Sequence, residues 1–305
     1  MAAFDKIKAL VFQTLLWVFL CGYAPLSCAN ELRVLMVLSD STPLYLDFAR
    51  TLRQNLPSDL RVDLIQYAEN FDAQKSDLIV SVGVRAAYRV AEKSSQPLLA
   101  AMIPSRVYAD LREIKQGASS AIYLDQPWQR QVALLGAVIP ERKRIGVLYS
   151  ASLNIAGLKS ELVRRHDTLV ARHLGGRDTL SADLYDVLAE SDVLLAVPDS
   201  EIYNANSIRN ILLTSYRHGI PLVGFSEAYV RAGALCAIFS TPEQLAAQTA
   251  FATAAYARTG KLPEAQYPQQ YRIAVNREVA RTFGLALEPD DALLLQIKKS
   301  SEDKR

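Results

Sequence analysis

The sequence predicts an α/β protein made of two doubly wound parallel-sheet lobes that are joined by a multi-crossing hinge. Short apolar runs such as "VLLAV" (193–197) alternate with helical stretches along the chain. Strands that are apolar throughout indicate a parallel sheet that is buried on both faces by crossover helices. This alternating plan occurs twice without a close sequence repeat, and each series is expected to supply four or five strands.

The first series begins with "RVLMVLS". Its expected strands are 33–39, 61–67, 77–83 and 97–104, and its expected helices are 43–55, 84–93 and 128–139. The strand candidates are short apolar runs, whereas the helix candidates are longer and mix apolar with polar residues.

The second series begins with "RIGVLYS" and repeats the plan. Its expected strands are 144–150, 168–174, 193–197, 220–225 and 234–239, and its expected helices are 155–165 and 205–218. A later helix has a clear beginning and end. Thr241 is placed to cap it, Pro242 suits its first turn, Gln244 completes a capping box, and Gly260 ends it.

Residues 1–29 have the layout of a secretory signal peptide. Lysines precede an apolar run that is short for a membrane span, and small residues close it at Ser27-Cys28-Ala29. We expect cleavage after Ala29 and a soluble, exported, periplasmic protein. An uncleaved anchor and lipid attachment at Cys28 are the alternatives, and Pro25 fits a lipid attachment site poorly.

The predicted domains follow from these series. Lobe 1 is expected to comprise 30–123 plus 240–268, and lobe 2 to comprise 124–239 plus 269–298. Residues 299–305 form a charged tail that is expected to be frayed. If the helix near 242–258 packs back on lobe 1, the chain crosses between the lobes more than once, and multiple crossings make a hinge.

Composition and motifs argue against several function classes. The net charge of +2 gives no indication of nucleic-acid binding. The chain has no dinucleotide, P-loop, nucleophile-elbow or HExxH motif, and its three histidines lack metal-ligand spacing. We therefore predict a protein that is not an enzyme and needs no cofactor or metal. Cys236 is expected to be a buried small side chain, and Trp128 to pack at the lobe boundary.

Ligands of open parallel sheets bind beyond the carboxyl ends of the strands. The loops at those ends are rich in hydroxyl groups and lie at helix N-termini, which suits an anionic group. Asp199 and Glu227 supply the opposite charge, so a ligand with an amine and a carboxylate would satisfy both. The predicted ligand-binding residues are Asp40, Ser41, Thr42, Tyr45, Gly83, Val84, Arg85, Pro104, Ser105, Tyr149, Ser150, Asn154, Asp199, Ser200, Phe225, Ser226 and Glu227.

Each of these residues also has a purely structural interpretation. Ser, Thr, Asp and Asn before a helix are most often caps. Tyr45, Tyr149 and Phe225 are aromatic side chains that build either ligand walls or ordinary core packing. The binding hypothesis depends on residues from both lobes converging on one crevice.

The stretch "LLAVPDSEIYNANSIRNILLTSYRHGIPLVGFSEAYVRAGALCAIFSTPEQLAAQ" resembles the second lobe of certain ABC-transporter substrate-binding proteins. These are the proteins related to exported tryptophan- and tyrosine-type binding proteins. The pieces "SVGVRAA", "RIGVLYS" and "YRIAVNREVARTFGLAL" extend the resemblance over nearly the whole mature chain. It implies a type I periplasmic-binding fold with three interlobe crossings and a small ligand in the cleft.

The resemblance also bears on single residues. Gly83 matches a family loop that reads roughly "GTPAA", whereas Val84 and Arg85 replace its threonine and proline. The family's "TDP" is "IPS" here. Asp199 matches the family's acid, which meets a ligand amine, and Arg85 either favours a more acidic ligand or points to solvent.

Three functional hypotheses follow from the sequence and the resemblance. The leading one is a monomeric periplasmic solute-binding protein that captures a small organic ligand, such as an amino acid or related small acid. It would deliver this ligand to an ABC permease in the inner membrane, with hinge closure around the ligand. The alternatives are a ligand sensor of the same fold and, as a weaker hypothesis, an enzyme on two α/β lobes.

Overall fold

Two β-sheets organise the part of the chain that the computed structural model describes, which is residues 32–58, 60–65, 71–73, 76–151, 153–176 and 179–302. Both sheets belong to one compact unit that begins at Leu32. The predicted signal peptide, with Cys28, lies outside the described residues.

The first sheet has five parallel strands in the order β2-β1-β3-β4-β5. They are β1 (Arg33–Leu38), β2 (Arg61–Ile65), β3 (Leu78–Val82), β4 (Leu98–Ile103) and β5 (Ser119–Tyr123). The helices that connect them are α1 (Pro43–Asn55), α2 (Val84–Lys93) and α3 (Ser105–Ile114). The bounds of α1 and α2 are those predicted from the sequence.

Strand β5 and helix α3 were not predicted. β5 is short, begins with two serines and buries only its three central residues. α3 follows Pro104 directly and buries Val107, Tyr108 and Leu111, which lie at helical spacing. Each element buries only three residues, which explains why a search for apolar runs did not reveal them.

The second sheet has six strands in the order β11-β10-β9-β8-β6-β7. They are β6 (Arg144–Tyr149), β7 (Thr168–His173), β8 (Val193–Leu195), β9 (Leu222–Gly224), β10 (Cys236–Phe239) and β11 (Arg272–Val275). β11 is antiparallel to β10, so this sheet is not wholly parallel as predicted. Its first five strands in the chain repeat the strand order of the first sheet.

Eight helices accompany the second half of the described chain. They are α4 (Trp128–Val138), α5 (Ala156–Arg164), α6 (Leu180–Glu190), α7 (Ile208–Arg217), α8 (Glu227–Arg231), α9 (Pro242–Thr259), α10 (Arg277–Thr282) and α11 (Asp290–Glu302). α11 continues into the predicted tail, so residues 299–302 are helical rather than frayed. Leu293 and Ile297 anchor this helix because both are buried in the core of the second sheet.

Helix α9 has the ends that its sequence predicted. The Thr241 side chain accepts a hydrogen bond from the Gln244 backbone N–H, and the Gln244 side chain accepts one from the Thr241 backbone N–H. Gly260 ends the helix in a left-handed conformation with a φ of 66°. This pair of local signals fixes where α9 starts and stops.

The first sheet is covered on both faces. Phe48 and Leu52 of α1 share one apolar cluster with Leu245 and Ala250 of α9. Helices α2 and α3 cover the other face through a separate cluster that includes Val90. A helix that follows the last strands of the second sheet thus packs on the first sheet, while the exact lobe boundaries stay a prediction.

Three crossings join the two sheets. The chain leaves the first sheet after β5, returns between β10 and α9, and leaves again before β11, after Gln266 has bridged to Ile122. The buried Gln126 of the first crossing donates a 2.8 Å hydrogen bond to the Ser240 hydroxyl of the second. That hydroxyl donates a 2.6 Å bond to the Gln270 carbonyl of the third crossing. One polar chain therefore connects all three crossings.

Cys236 has the buried position that its sequence context predicted. Its side chain is fully buried in the core of the second sheet, and it forms no disulfide. Burial raises the pKa of its thiol. Such a thiol packs as a small apolar side chain and has little thiolate character at neutral pH.

Candidate functional site

A cavity of about 350 Å³ lies between the two sheets and is lined by residues of both. From the first sheet and the first crossing it receives Pro104, Ser105, Arg106, Asp125 and Gln126. The rest of its described lining comes from later elements: Trp128, Gln131, Leu153, Asn154, Ala156, Gly157, Pro198 and Tyr267. Its volume is at the lower end of the range for small-molecule pockets.

Ser105 and Asp125 form a rigid pair at one wall of the cavity. One oxygen of the Asp125 carboxylate accepts the Ser105 backbone N–H at 2.7 Å, and the other accepts the Ser105 hydroxyl at 2.6 Å. Desolvation raises the pKa of Asp125, and these hydrogen bonds oppose the shift. The pair joins the loop after β4 to the loop after β5 and fixes the Ser105 side chain.

Two other polar side chains of the cavity have buried atoms without partners. The Arg106 Nε and the Gln131 Oε1 are shielded from solvent, and neither has a hydrogen-bond partner in the described part of the chain. Gln131 as a whole is 1% exposed. A buried polar atom without a partner is costly, so these atoms are candidates for contacts with a ligand or an ordered water.

Aromatic side chains supply apolar surface to the same cavity. The Trp128 ring packs tightly against Gly157, where a Cβ atom would lie 2.7 Å from its Cδ1. Tyr267 meets the ring of Tyr123 edge-on, with centroids 5.0 Å apart. Burial raises the pKa of Tyr123 to about 12. Trp128 was predicted to serve packing alone, but it also lines the cavity.

The second sheet contributes the loops that follow β6 and β8. Asn154 lines the cavity while its side-chain oxygen accepts the Ala156 backbone N–H at 2.9 Å. Pro198 approaches from the loop after β8. Asn154 was predicted to bind ligand, and the structure brings it together with the predicted Pro104 and Ser105 in this cavity.

Asp199 directly follows the lining residue Pro198 and has no exposed surface. Its carboxylate accepts the Ser150 backbone N–H at 2.8 Å and the Glu201 backbone N–H at 3.1 Å. Here Asp199 cross-links the loops after β6 and β8 and leaves no carboxylate surface for a ligand amine. Its neighbour Pro198 lines the cavity, but the burial of Asp199 is a tertiary property that its sequence position did not reveal.

The predicted residues after β1 and β3 form a separate cluster. Arg85 pairs with Asp40 at 3.8 Å and donates a hydrogen bond to the Ser39 carbonyl. The φ of Gly83 is 85°, and a Cβ at this position would lie 2.6 Å from both the Ser39 and Tyr45 side-chain oxygens. The described lining of the cavity includes none of the predicted residues from these two loops, which are Asp40, Ser41, Thr42, Tyr45, Gly83, Val84 and Arg85.

The remaining predicted residues have other surroundings. Phe225 packs against Tyr229 at 4.5 Å and meets Tyr203 edge-on. Glu227 forms a 2.7 Å ion pair with Arg231 on α8, which begins after Ser226. The described lining of the interlobe cavity contains none of the remaining predicted set, which is Tyr149, Ser150, Asp199, Ser200, Phe225, Ser226 and Glu227.

A second cavity of about 570 Å³ includes Ser200. It lies beside the loops after β7 and β8, and Asn204, Asn206 and Asn210 give it amide groups. Its described lining comes from the second half of the chain alone.

Several lining residues were missed by the site prediction. Asp125, Gln126 and Trp128 lie in the stretch "AIYLDQPW", which was predicted only as a lobe boundary. Tyr267 lies in the third crossing, and Gln131 faces the cavity from the first turn of α4. A usable signal existed for Arg106, Leu153 and Pro198, because each is adjacent in the sequence to a predicted site residue.

Two further properties concern the described residues only. No cluster of three or more His, Cys, Asp or Glu residues there is arranged to hold a metal ion. No helix there combines the length and apolarity that a membrane span needs.

Comparisons with solved structures show the same fold in several binding proteins. The ABC domain in complex with L-Trp from Streptococcus pneumonia has a TM-score of 0.65 at 17% identity, over 87% of this chain and 98% of that one. A ligand-free, open substrate-binding protein with adhesive properties from Clostridium difficile has a TM-score of 0.66 at 19% identity, over 85% and 96%. These likenesses confirm the predicted fold.

A third similar structure is a conserved domain protein from Vibrio cholerae, with a TM-score of 0.64 at 19% identity, over 87% of this chain and 98% of that one. A search of curated protein sequences gave no match. The family model described as ABC transporter substrate binding protein matches residues 54–288, which is most of the chain. The protein therefore belongs to the family of ABC transporter substrate-binding proteins.

Proposed function

We propose that this protein is exported, binds one small organic ligand between its two sheets, and delivers it as a monomer to an ABC permease in the inner membrane. Family membership supports a binding rather than a catalytic role. The observation that carries the proposal is the interlobe cavity, which takes lining residues from the loops of both sheets.

The position of the cavity between the two sheets supports a mechanism in which the sheets close around the ligand. A ligand that touches Ser105 on one side and Asn154 on the other stabilises the arrangement in which the two sheets approach each other. The three crossings are the segments about which such a motion would turn. The bonds between Gln126, Ser240 and Gln270 keep these segments in register.

Binding is tested by thermal unfolding of the purified protein with a panel of small acids, amino acids and sugars. A ligand at about a hundred times its dissociation constant adds about 2.7 kcal/mol to the free energy of unfolding. Mass spectrometry of small molecules that co-purify with the protein extends the panel. If no compound raises the unfolding temperature and none co-purifies, the proposal is wrong.

Delivery to a permease requires a second experiment. The ligand-loaded protein should stimulate ATP hydrolysis by its ABC permease in proteoliposomes, whereas the ligand alone should not. A protein that binds the ligand but never stimulates hydrolysis would instead support the sensor hypothesis. Chemical alteration of the ligand during incubation would support the enzyme hypothesis.

A further inference from the structure

Arg106 is a cation of the interlobe cavity, and its charge opposes the rise that desolvation causes in the pKa of the nearby Asp125 carboxyl, but the described part of the chain gives its Nε atom no hydrogen-bond partner. Its Nε atom is shielded from solvent. A guanidinium group binds planar carboxylates through two parallel hydrogen bonds. Arg106 is therefore equipped for an anionic group of the ligand.

The acids near the cavity are already engaged. Asp125 uses one oxygen for the Ser105 backbone and the other for the Ser105 hydroxyl. Asp199 is fully buried and holds the Ser150 and Glu201 backbones. The described lining thus offers a guanidinium group but no carboxylate without internal partners, which favours an anion over an ammonium group.

Gln131 provides the second anchor. Its amide oxygen is buried without a partner in the described residues, and its side chain faces the cavity from α4. An amide oxygen accepts hydrogen bonds, so the ligand group opposite it should be a donor. A neutral donor such as a hydroxyl or a ring N–H avoids the cost of burying an ammonium group without a counter-charge.

We infer, on the basis of the proposed function, that the ligand is a flat organic carboxylate with a neutral hydrogen-bond donor and no ammonium group. Arg106 binds its carboxylate, and Gln131 accepts a hydrogen bond from its donor. Trp128 and Tyr267 contact the apolar part between these two groups. The matching amino acids, which add an ammonium group to the same ring and carboxylate, are the poorer ligands.

Calorimetry with two matched sets of probes, one built on indole and one on phenol, tests this inference. The carboxylates are indole-3-propionate and 3-(4-hydroxyphenyl)propionate, the zwitterions are L-tryptophan and L-tyrosine, and the amines are tryptamine and tyramine. D-ribose serves as a neutral probe. We expect each carboxylate to bind about tenfold or more tightly than its zwitterion, and the amines not to bind.

The possible outcomes separate the ligand class from the proposed function. Equal or tighter binding of the zwitterions, or binding of D-ribose alone, overturns the carboxylate inference and leaves the proposed function standing. Failure of every probe overturns the inference. If the thermal-unfolding panel and the co-purification experiment also find no ligand, the proposed function is wrong as well.

Variants test the two anchors separately. Arg106→Gln should weaken the binding of both carboxylates about tenfold or more, and Arg106→Lys should weaken it less because the charge is kept. Arg112→Gln is the matched control, since Arg112 is an exposed residue of the same helix. Unchanged carboxylate affinity in a folded Arg106→Gln protein overturns the inference.

The Gln131→Leu variant should weaken binding of indole-3-propionate and 3-(4-hydroxyphenyl)propionate but not of 3-phenylpropionate, which lacks the donor. Gln129→Leu on the more exposed side of α4 is its control. Equal losses for probes with and without a donor would show that Gln131 only supports packing, and would overturn its assigned role. Unfolding temperatures of all variants establish that each one is folded.

Discussion

The two sheets share a strand order but present different loops to the cavity. In the second sheet, the loops after β6 and β8 line it, and these strands flank the point at which the strand order reverses. In the first sheet, the corresponding loops follow β1 and β3, yet the lining comes from the loops after β4 and β5. We call the place where the strand order reverses the switch point of a sheet. With the same topology, the loops at the switch point line the cavity in the second sheet but not in the first.

Side chains explain this difference. At the switch point of the first sheet, the Ser39 hydroxyl donates to the Val82 carbonyl and accepts the Ala86 backbone N–H. Tyr45 packs over Gly83, and Arg85 covers the Ser39 carbonyl. At the first switch point these side chains thus contact the protein's own groups, whereas at the second switch point Asp199 is buried and the neighbouring Pro198 lines the cavity. Topology locates the edge of a sheet, and local packing decides whether a ligand fits there.

The largest expected effect concerns the second switch point. Asp199→Ala removes a buried carboxylate that holds two backbone N–H groups, so we expect the free energy of unfolding to fall by about 3 kcal/mol. Urea unfolding measures this loss. Ligand affinity should fall as well, because the loops after β6 and β8 lose their cross-link. A loss below about 1 kcal/mol would contradict this role for Asp199.

The next effect concerns the first switch point. Gly83→Ala should lower the free energy of unfolding by about 2 kcal/mol, since its positive φ and its close contact with Tyr45 both oppose a Cβ atom. Gly219→Ala is the matched control, because its φ of 69° is also positive but a Cβ there would meet no atom within 4 Å. Equal losses in the two variants would show that the crevice around Gly83 is not tightly filled.

A smaller effect is expected at the hinge that connects the two regions. Ser240→Ala removes the hydroxyl that accepts a hydrogen bond from Gln126 and donates one to Gln270, and should cost about 1 kcal/mol. It should also change ligand affinity, although Ser240 is not part of the described lining of the cavity, because the equilibrium between open and closed forms shifts. Small-angle scattering with and without ligand measures the change in radius of gyration. Identical scattering and affinity in variant and parent would argue against a hinge role.

The smallest effect is expected for Arg85, and it tests whether the first switch point takes part in ligand binding. Arg85→Gln removes an exposed ion pair with Asp40 and should change the free energy of unfolding by less than about 0.5 kcal/mol. Ligand affinity measured by calorimetry should stay the same. A clear rise in the dissociation constant would show that the loops after β1 and β3 take part in ligand binding, as the sequence predicted.

Local sequence signals predicted most of the fold. Pro43 and Gly83 mark the starts of α1 and α2, and the capping box at Thr241 marks α9. β5 and α3 were not predicted because their apolar patterns are short. The topology rule also located Pro104, Ser105 and Asn154 correctly at the cavity, since each lies in a loop that follows the end of a strand.

The remaining site residues depend on tertiary contacts. Asp125 becomes part of the site only because β5 places it beside Ser105. Gln131 belongs to it because α4 buries an amide that its sequence would equally allow on the surface. Asp199 directly follows the lining residue Pro198, but whether a carboxylate contacts a ligand or a backbone is decided by packing between loops that are distant in the sequence.

The emission of Trp128 tests most directly whether the ligand binds between the two sheets. The chain has two tryptophans, and Trp17 lies in the predicted signal peptide, so the protein that begins at Asn30 has Trp128, a lining residue of the cavity, as its single tryptophan. Titration with a ligand that calorimetry has identified and that contains no indole ring should change the Trp128 emission in a saturable way, with the same dissociation constant. Calorimetric binding without any change in Trp128 emission would contradict binding in the interlobe cavity.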